Sequence, residues 1–285
     1  MKEKWRVEGK KIVITGASRG IGRAIVEELA LNGAELMFTS RNQKNADRTA
    51  EEIKKKHTKN INSAKLHAAV CDVKDYTSVQ ALMAEAIHKM GGIDVWINNA
   101  GVSEPFNKII DQSPQEWYEP IEVNLKGSFH SCKAVIPFFL KQGHGKIINM
   151  AGSGANNEKR NTACLSGYAC SKAAIRRLTD TLAEEYQGRN IEFMLLNPGM
   201  VRTEILGTAH PTPELAKRLD RFLTVQDIFA QHPSVAAKAA LKLCSDWSNG
   251  KNGHYETVFS KWKARQLLLT YPFRKWRGTI DRTIY

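Results

Sequence analysis

The chain has 285 residues, of which 42% are hydrophobic and 25% are charged. This balance is typical of a globular protein and excludes a largely disordered one. No run of about 18 consecutive apolar residues is present, which argues against a membrane-spanning helix. The first eleven residues are charged and lack the apolar stretch and small-residue cleavage site of a signal peptide, so a secreted protein is not expected.

The net charge of +13 has three candidate explanations: nucleic-acid binding, an anionic cofactor or substrate, or a solvated basic surface. Basic residues are spread along the chain, with clusters at 54–59 and 261–277. The sequence has no zinc-finger, helix-turn-helix or aromatic RNA-binding signature, so nucleic acid is not the favoured partner.

The five cysteines are odd in number and lack CxxC spacing, which favours reduced thiols in a cytoplasmic protein over disulfides or a zinc site.

Short apolar, β-branched segments alternate along the chain with segments of helical periodicity. The predicted strands are 11–15, 34–40, 65–71, 94–98, 146–150, 191–196 and 254–259. The predicted helices are 21–31, 46–57, 79–90, 113–139 with a bend near Asn124 and Gly127, 168–186, 214–222 and 234–243.

This alternation predicts the α/β class: one Rossmann-type, doubly wound domain over residues 1–260. Its seven-stranded sheet is expected to be mostly parallel, with helices on both faces. A lid over the substrate is predicted at about residues 203–224. Residues 261–285 form a basic and aromatic C-terminal extension.

A glycine-rich turn, Thr15 to Gly22, joins the first strand to the first helix. Glycines there allow a tight turn and let backbone amides approach a phosphate, and the helix N-terminus adds a positive dipole end. The turn is therefore predicted to bind a dinucleotide. The alternative is a plain strand-to-helix turn.

The second strand ends without the acidic residue that usually holds the ribose 2′-hydroxyl of NAD. Arg41 and Asn42 stand there instead, and Arg19 lies in the glycine turn. Guanidinium groups suit a 2′-phosphate, so NADP(H) is predicted. The alternative is that both arginines only face solvent.

Further motifs follow the glycine turn in order: Asp72-Val73, Asn98-Asn99-Ala100-Gly101, Asn124, Tyr168-Ala169-Cys170-Ser171-Lys172 and Pro198-Gly199-Met200-Val201-Arg202-Thr203. With the turn, they resemble the short-chain dehydrogenases/reductases of the ordinary, non-extended type, from about Lys10 to Phe259. The resemblance implies an oxidoreductase that moves a hydride between a nicotinamide and a carbonyl or secondary alcohol. It also implies that Asp72-Val73 meets the adenine ring and that the loop 198–203 holds the nicotinamide amide.

The predicted catalytic residues are Asn124, Ser153, Tyr168 and Lys172. The predicted cofactor contacts are Gly16, Ser18, Arg19, Gly20, Ile21, Gly22, Arg41, Asn42, Asp72, Val73, Asn99, Ala100, Gly101, Tyr168, Lys172, Pro198, Gly199, Val201 and Thr203.

Tyr168 and Lys172 are four residues apart, so they share one face of a helix. A nearby ammonium favours the phenolate, and Lys172 is therefore expected to lower the tyrosine pKa from its usual value of about 10. Tyr168 would then act as general acid or base. Asn124 either bends its helix around a water or, as the resemblance implies, holds that water in a proton relay.

The chain departs from the family at the substrate-binding serine. The usual Ser-Ser pair is replaced by Ala151-Gly152, followed by Ser153-Gly154. Ser153 is expected to supply the hydroxyl, and a backbone amide or Asn156 is the alternative. Loss of this hydroxyl would favour a different class of function, an NADPH-binding sensor or scaffold with weakened catalysis.

Two regions bear on partners. Basic side chains on the lid helix at 214–222 either attract an anionic substrate or form a solvated face. The extension mixes apolar and basic residues, which suits packing within an oligomer or over the active site more than attachment to an anionic membrane surface. The resemblance implies a homodimer or homotetramer paired through the helices that carry Asn124 and Tyr168.

Overall fold

The computed structural model of the protein describes residues 5–58, 65–155, 162–202 and 213–285. Seven strands form one sheet. They are β1 (Lys11–Ile14), β2 (Glu35–Ser40), β3 (Leu66–Val70), β4 (Val95–Asn98), β5 (Gly145–Met150), β6 (Ile191–Asn197) and β7 (Tyr255–Thr257). Their order is β3-β2-β1-β4-β5-β6-β7, and every neighbouring pair is parallel.

Helices cover both faces of this sheet. They are α1 (Gly20–Leu31), α2 (Gln43–Lys56), α3 (Tyr76–Met90), α4 (Pro114–Pro120), α5 (Gly127–Gln142), α6 (Ser166–Glu185), α7 (Pro213–Phe229), α8 (Ser234–Cys244) and α9 (Lys261–Trp276). In β1, Ile12 and Ile14 belong to the core shared with α1 and α8, whereas Val13 belongs to the core shared with α3 and α5. The predicted doubly wound α/β fold is confirmed.

The sheet has a switch point at its centre. From β1 the chain moves outward to β2 and β3, then returns to place β4 on the other side of β1. Connections therefore leave β1 and β4 in opposite directions, which opens a crevice at their carboxyl ends. Ligands of such sheets bind there.

The long helix predicted over 113–139 is interrupted. Ser113 caps α4 in a capping box with Glu116, as its sequence predicts. A π-helical segment, Ile121–Lys126, then separates α4 from α5. It places Asn124 where a bend was predicted, and such π segments often mark functional sites.

The C-terminal third differs from the prediction in two respects. The lid helix predicted at 214–222 runs as α7 from Pro213 to Phe229, and the extension forms a helix, α9, that was not predicted.

The helices of the described residues include none with the length and apolarity needed to span a bilayer. The division into a domain at 1–260 and an extension stays a prediction.

Candidate active site

The glycine turn and the segment after β4 meet at the switch point. Gly16 has a φ of +62°, and a Cβ at this residue would lie 2.6 Å from the Cα of Ala100. Only glycine tolerates both that conformation and that approach. The two segments therefore form one continuous surface at the carboxyl ends of β1 and β4.

Hydrogen bonds between Thr15 and Asn99 fix this surface. Asn99 Nδ2 donates to the carbonyl oxygens of Thr15 and Gly16, at 3.0 and 2.8 Å. Thr15 Oγ1 accepts from the amides of Asn99 and Ala100, at 3.2 and 3.1 Å. A Cβ on Gly22 would overlap the Asn99 amide nitrogen. The structure thus brings these predicted cofactor residues together.

The first turn of α1 is suited to an anion. Its N-cap residue, Arg19, is exposed and has no side-chain acceptor for the amides of that turn, which contains no acidic residue. Gly20 has a φ of +59°, and Ile21 packs against the core. Ser18 is half-buried beside them. Backbone amides and the positive end of the helix dipole fit the pyrophosphate of a dinucleotide cofactor.

The end of β2 lies beside the glycine turn. The Thr39 carbonyl accepts from the amide of Ala17 at 2.7 Å. Arg41, two residues further along, is exposed, and the first turn of α2 contains no acidic residue. Asn42 caps α2, where its side-chain oxygen accepts from the amide of Asn45 at 3.3 Å. Capping therefore occupies the Asn42 oxygen, while Arg41 faces solvent next to the turn.

The predicted adenine-binding pair follows β3 at the same end of the sheet. The half-buried Asp72 accepts from the amide of Lys74 at 3.0 Å. Val73 is buried, and a Cβ on Gly127 would lie 2.6 Å from its Cγ2. Because Gly127 has no side chain, the start of α5 packs closely against Val73.

Asn124 connects the segment after β4 to α6. Its Oδ1 accepts from the amide of Val102 at 2.8 Å, and its Nδ2 donates to the Val102 carbonyl and to Ser171 Oγ, both at 2.9 Å. Ser171 Oγ donates in turn to the Tyr168 carbonyl at 2.7 Å. The buried side chain of Asn124 is thus a structural link within the site, and its part in a proton relay stays a prediction.

Lys172 reaches the same point from α6. Its Nζ donates to the Met150 carbonyl at 2.9 Å, and a Cβ on Gly101 would lie 3.8 Å from this nitrogen. Burial lowers the pKa of Lys172 to about 8. The ammonium lies 5.7 Å from the centroid of the Tyr168 ring.

The half-buried Tyr168 does not have the pKa that its sequence spacing predicts. Burial, with a smaller contribution from the Glu104 carboxylate, raises its pKa to about 12. The expectation that Lys172 lowers the pKa is wrong for this arrangement, because the Lys172 hydrogen bond is directed to a backbone carbonyl. Desolvation and a neighbouring negative charge both favour the neutral phenol.

Glu104 is a site residue that the sequence analysis missed. Its carboxylate is 1% exposed and accepts from the amides of Gly167 and Tyr168, at 2.7 and 2.9 Å. These amides lie in the first turn of α6, whose N-cap residue, Leu165, has no side-chain acceptor. Glu104 therefore caps α6 from another segment of the chain.

The residue that faces the Tyr168 hydroxyl is Gly152. A Cβ on Gly152 would overlap the hydroxyl oxygen and lie 3.0 Å from Tyr168 Cζ. Ser153 is exposed, one residue further along, in a turn where the amide of Ala155 donates to the Gly152 carbonyl at 3.1 Å. This placement does not support Ser153 as the substrate-binding hydroxyl, and Asn156 lies outside the described residues.

The predicted nicotinamide loop follows β6. Gly199 has a φ of +71°, and a Cβ there would lie 2.8 Å from Val258 Cγ2. Pro198 and Val201 are buried. Thr203 lies outside the described residues, as does most of the first half of the predicted lid.

Tyr168 packs against a cluster of apolar side chains. The members of this cluster are Phe106, Cys164, Leu165, Tyr168, Leu215, Leu219 and Phe222. The rings of Phe106 and Phe222 are 5.8 Å apart, so α7 turns its apolar face toward the tyrosine. The basic side chains of α7 at 217, 218 and 221 are exposed on its other side.

Asp227 on α7 forms ion pairs with both the C-terminal extension and the loop after β6. Asp227 pairs with Arg202 of the predicted nicotinamide loop and, at 2.8 Å, with Arg282. The amide of Tyr285 donates to the Arg202 carbonyl at 3.0 Å. The extension thus joins α7 to the loop after β6.

Comparison of the sequence with known protein families agrees with this geometry. The family profile of the short chain dehydrogenases matches residues 10–214, most of the chain. The protein is a member of the short-chain dehydrogenase family. The resemblance stated from the sequence motifs is confirmed.

Two relatives within this family match most of the chain. Dehydrogenase/reductase SDR family member 4 of Sus scrofa is 34% identical over 197 residues, 69% of this chain and 67% of that protein. The 3beta-hydroxysteroid dehydrogenase 1 of Eggerthella lenta is 33% identical over 252 residues, 87% of this chain and 91% of that protein.

Solved structures share the fold over most of their length. A gluconate 5-dehydrogenase from Burkholderia cenocepacia, in complex with NADP and tartrate, has a TM-score of 0.75 and 27% identity, covering 90% of this chain and 96% of its own. A 3-ketoacyl-(acyl-carrier-protein) reductase from Brucella melitensis, complexed with NADH, has a TM-score of 0.73 and 26% identity, covering 90% and 99%. Proteins with this fold therefore include one that binds NADP and one that binds NADH.

Proposed function

We propose that this short-chain dehydrogenase transfers a hydride between NADP(H) and a carbonyl or secondary alcohol, with Tyr168 as general acid and base. The observation that carries the proposal is the approach of Asn124 and Lys172 to Gly101, at the sheet edge that holds the glycine turn, with the Tyr168 ring centroid 5.7 Å from the Lys172 ammonium. When bound, the nicotinamide supplies or accepts the hydride. The Tyr168 hydroxyl donates a proton to the carbonyl oxygen in reduction and accepts one from the alcohol in oxidation.

A preference for NADP(H) is supported by charge at the end of β2. Arg41 is exposed there, and neither residues 40–42 nor the first turn of α2 contains an acid. Arg19 is exposed at the N-cap of α1. A ribose 2′-phosphate would meet cationic groups and no carboxylate in these segments.

We further propose that the substrate is an apolar ketone or alcohol. An apolar cluster that includes Tyr168 has side chains from three segments of the chain, among them α7. The 3beta-hydroxysteroid dehydrogenase of Eggerthella lenta is a relative that matches over most of its length. An apolar lining stabilises a hydrophobic substrate in proportion to the surface it removes from water.

The test is turnover by the purified protein. NADPH and NADH oxidation are followed by absorbance with bulky apolar ketones, such as steroid ketones, and with polar keto-sugar acids. We expect turnover with NADPH and the apolar ketones. Turnover confined to the polar compounds would contradict the substrate class but leave the oxidoreductase assignment standing.

One observation favours a second function, an NADPH-binding sensor or scaffold. Gly152 faces the Tyr168 hydroxyl, so this position offers no side-chain hydroxyl to polarise a carbonyl. NADPH binding measured by fluorescence, with no turnover of any ketone at saturating cofactor, would support this function.

The remaining proposals concern assembly and compartment. We expect a homodimer or homotetramer paired through α5 and α6, and α5 exposes Phe129 and Leu140. Light scattering on the eluting protein measures this directly. None of the five cysteines is in a disulfide, which suits the reducing conditions of the cytoplasm.

A further inference from the structure

Helix α9 rests on α7 with one face. Arg274 donates to the Ile228 carbonyl at 2.8 Å and so fastens α9 to the end of α7. The side chains of α9 that are partly buried recur at helical spacing. They are Lys263, Ala264, Leu267, Tyr271 and Arg274.

The opposite face of α9 carries an exposed apolar stripe. Its members are Trp262, Leu269, Phe273 and Trp276, with exposed fractions of 73%, 81%, 53% and 80%. At 3.6 residues per turn, these four side chains fall within an arc of about 60°. A regular stripe with two tryptophans is more than the scattered single apolar residues of an ordinary surface, and it indicates a contact with something else.

The stripe lies in a strongly basic segment. Residues 257–280 contain six lysines and arginines and no acidic residue. By the same helical spacing, Arg265 and Arg277 lie on either side of the stripe, and the Arg277 guanidinium is 4.4 Å from the centroid of the Phe273 ring. The occupant of this face must therefore accept aromatic rings and cations together.

We propose that α9 lies flat on an anionic lipid surface. Tryptophan rings and arginine side chains both suit the boundary between headgroups and acyl chains, and anionic headgroups complement the basic flanks. A second copy of this chain fits less well, because it would place the same cations against this face on a protein whose net charge is +13.

The test is co-sedimentation of the full chain with vesicles of phosphatidylcholine alone and of phosphatidylcholine with phosphatidylglycerol at 3:1. We expect binding to the anionic vesicles only, weakened at 0.5 M salt. The double variant Trp262→Ala/Trp276→Ala should bind at least about tenfold more weakly, as should Arg265→Glu/Arg277→Glu.

Two matched variants separate the stripe from general hydrophobicity and charge. Ile109→Ala/Ile110→Ala removes another exposed apolar pair, and Lys55→Glu/Lys141→Glu makes the same change in net charge elsewhere. Both should bind vesicles like the parent protein, and melting temperatures verify that every variant is folded. Equal losses in the matched variants would overturn the proposal. So would absence of binding to the anionic vesicles; a dimer that dissociates on removal of the tryptophans would then assign the stripe to a contact between two copies of the chain.

Discussion

The hydroxyl oxygen of Tyr168 occupies the space into which a side chain on Gly152 would project. A Cβ there would also lie 3.1 Å from Lys172 Cγ. Residue 152 therefore determines where the phenol rests relative to the lysine, although it has no side chain of its own. This relationship makes position 152 the most direct place to test the site.

We expect Gly152→Ala to lower ketone reduction by about tenfold or more, because the added methyl group displaces the reactive hydroxyl, and small misplacements of reacting groups are costly. Gly152→Ser should be more active than Gly152→Ala, since it adds a donor for the substrate oxygen. Initial rates at saturating NADPH measure both.

Ser153→Ala is the control for this pair. Because Ser153 is exposed, its replacement should change the rate less than about twofold. A loss of activity as large as that of Gly152→Ala would return the substrate-binding role to Ser153.

Tyr168→Phe should lower turnover by about a hundredfold or more while leaving NADPH affinity unchanged, since it removes only the group that transfers the proton. Steady-state rates and NADPH fluorescence titration measure the two quantities. Tyr118→Phe, which alters an exposed tyrosine, should be unaffected. Near-normal turnover in Tyr168→Phe would refute the acid and base assignment.

The pH dependence follows from the tyrosine. With a pKa of about 12, Tyr168 is protonated at neutral pH, so the proton donor for reduction is present, whereas the base for alcohol oxidation increases as pH rises toward 12. Burial is the main cause of this raised pKa, and Glu104→Gln removes the negative charge that adds to it. The rise of alcohol oxidation with pH should therefore move to lower pH, which initial rates from pH 7 to 10.5 measure.

The same variant weakens the cap on α6, because the amide offers one acceptor in place of two. We expect a loss of about 1–2 kcal/mol in unfolding free energy, measured by denaturant titration. Glu85→Gln, which breaks an exposed pair with Lys89, should change neither the profile nor the stability appreciably. A destabilised Glu104→Gln with an unmoved pH profile would assign Glu104 a purely structural role.

Arg41→Asp should shift cofactor preference from NADPH toward NADH, because a carboxylate repels the 2′-phosphate and can accept from a ribose hydroxyl. The ratio of kcat/KM for the two cofactors measures the shift. Arg48→Asp makes the same change in charge at another exposed position on α2 and should leave the ratio near that of the parent. An unchanged ratio in both variants would show that Arg41 does not hold the phosphate.

The alternation of strands and helices was sufficient to predict the sheet, because a strand buried on both faces has a continuous apolar sequence. The glycine turn and the Asn99 segment were predicted for a related reason: Gly16 and Gly22 occupy positions where a Cβ would clash. Such constraints are local and leave a direct mark on the sequence.

Contacts between distant segments left no such mark. Glu104 looks like any loop acid in the sequence, and only the fold brings it to the first turn of α6. The altered Ala151-Gly152 pair indicates a departure from the family. The nearest serine in the sequence is Ser153, whereas the backbone turns residue 152 toward Tyr168. Helix α9 was missed because its apolar stripe faces outward and its sequence contains Pro272.

The cap that Glu104 places on α6 has a consequence for local opening of the fold. The first turn of α6 and the loop after β4 share a buried carboxylate, so neither can separate from the other without leaving two amides or a charge without partners. The two segments should therefore open and close as one cooperative unit. Any fluctuation that admits a ligand past the loop would also loosen the turn that carries the reactive phenol.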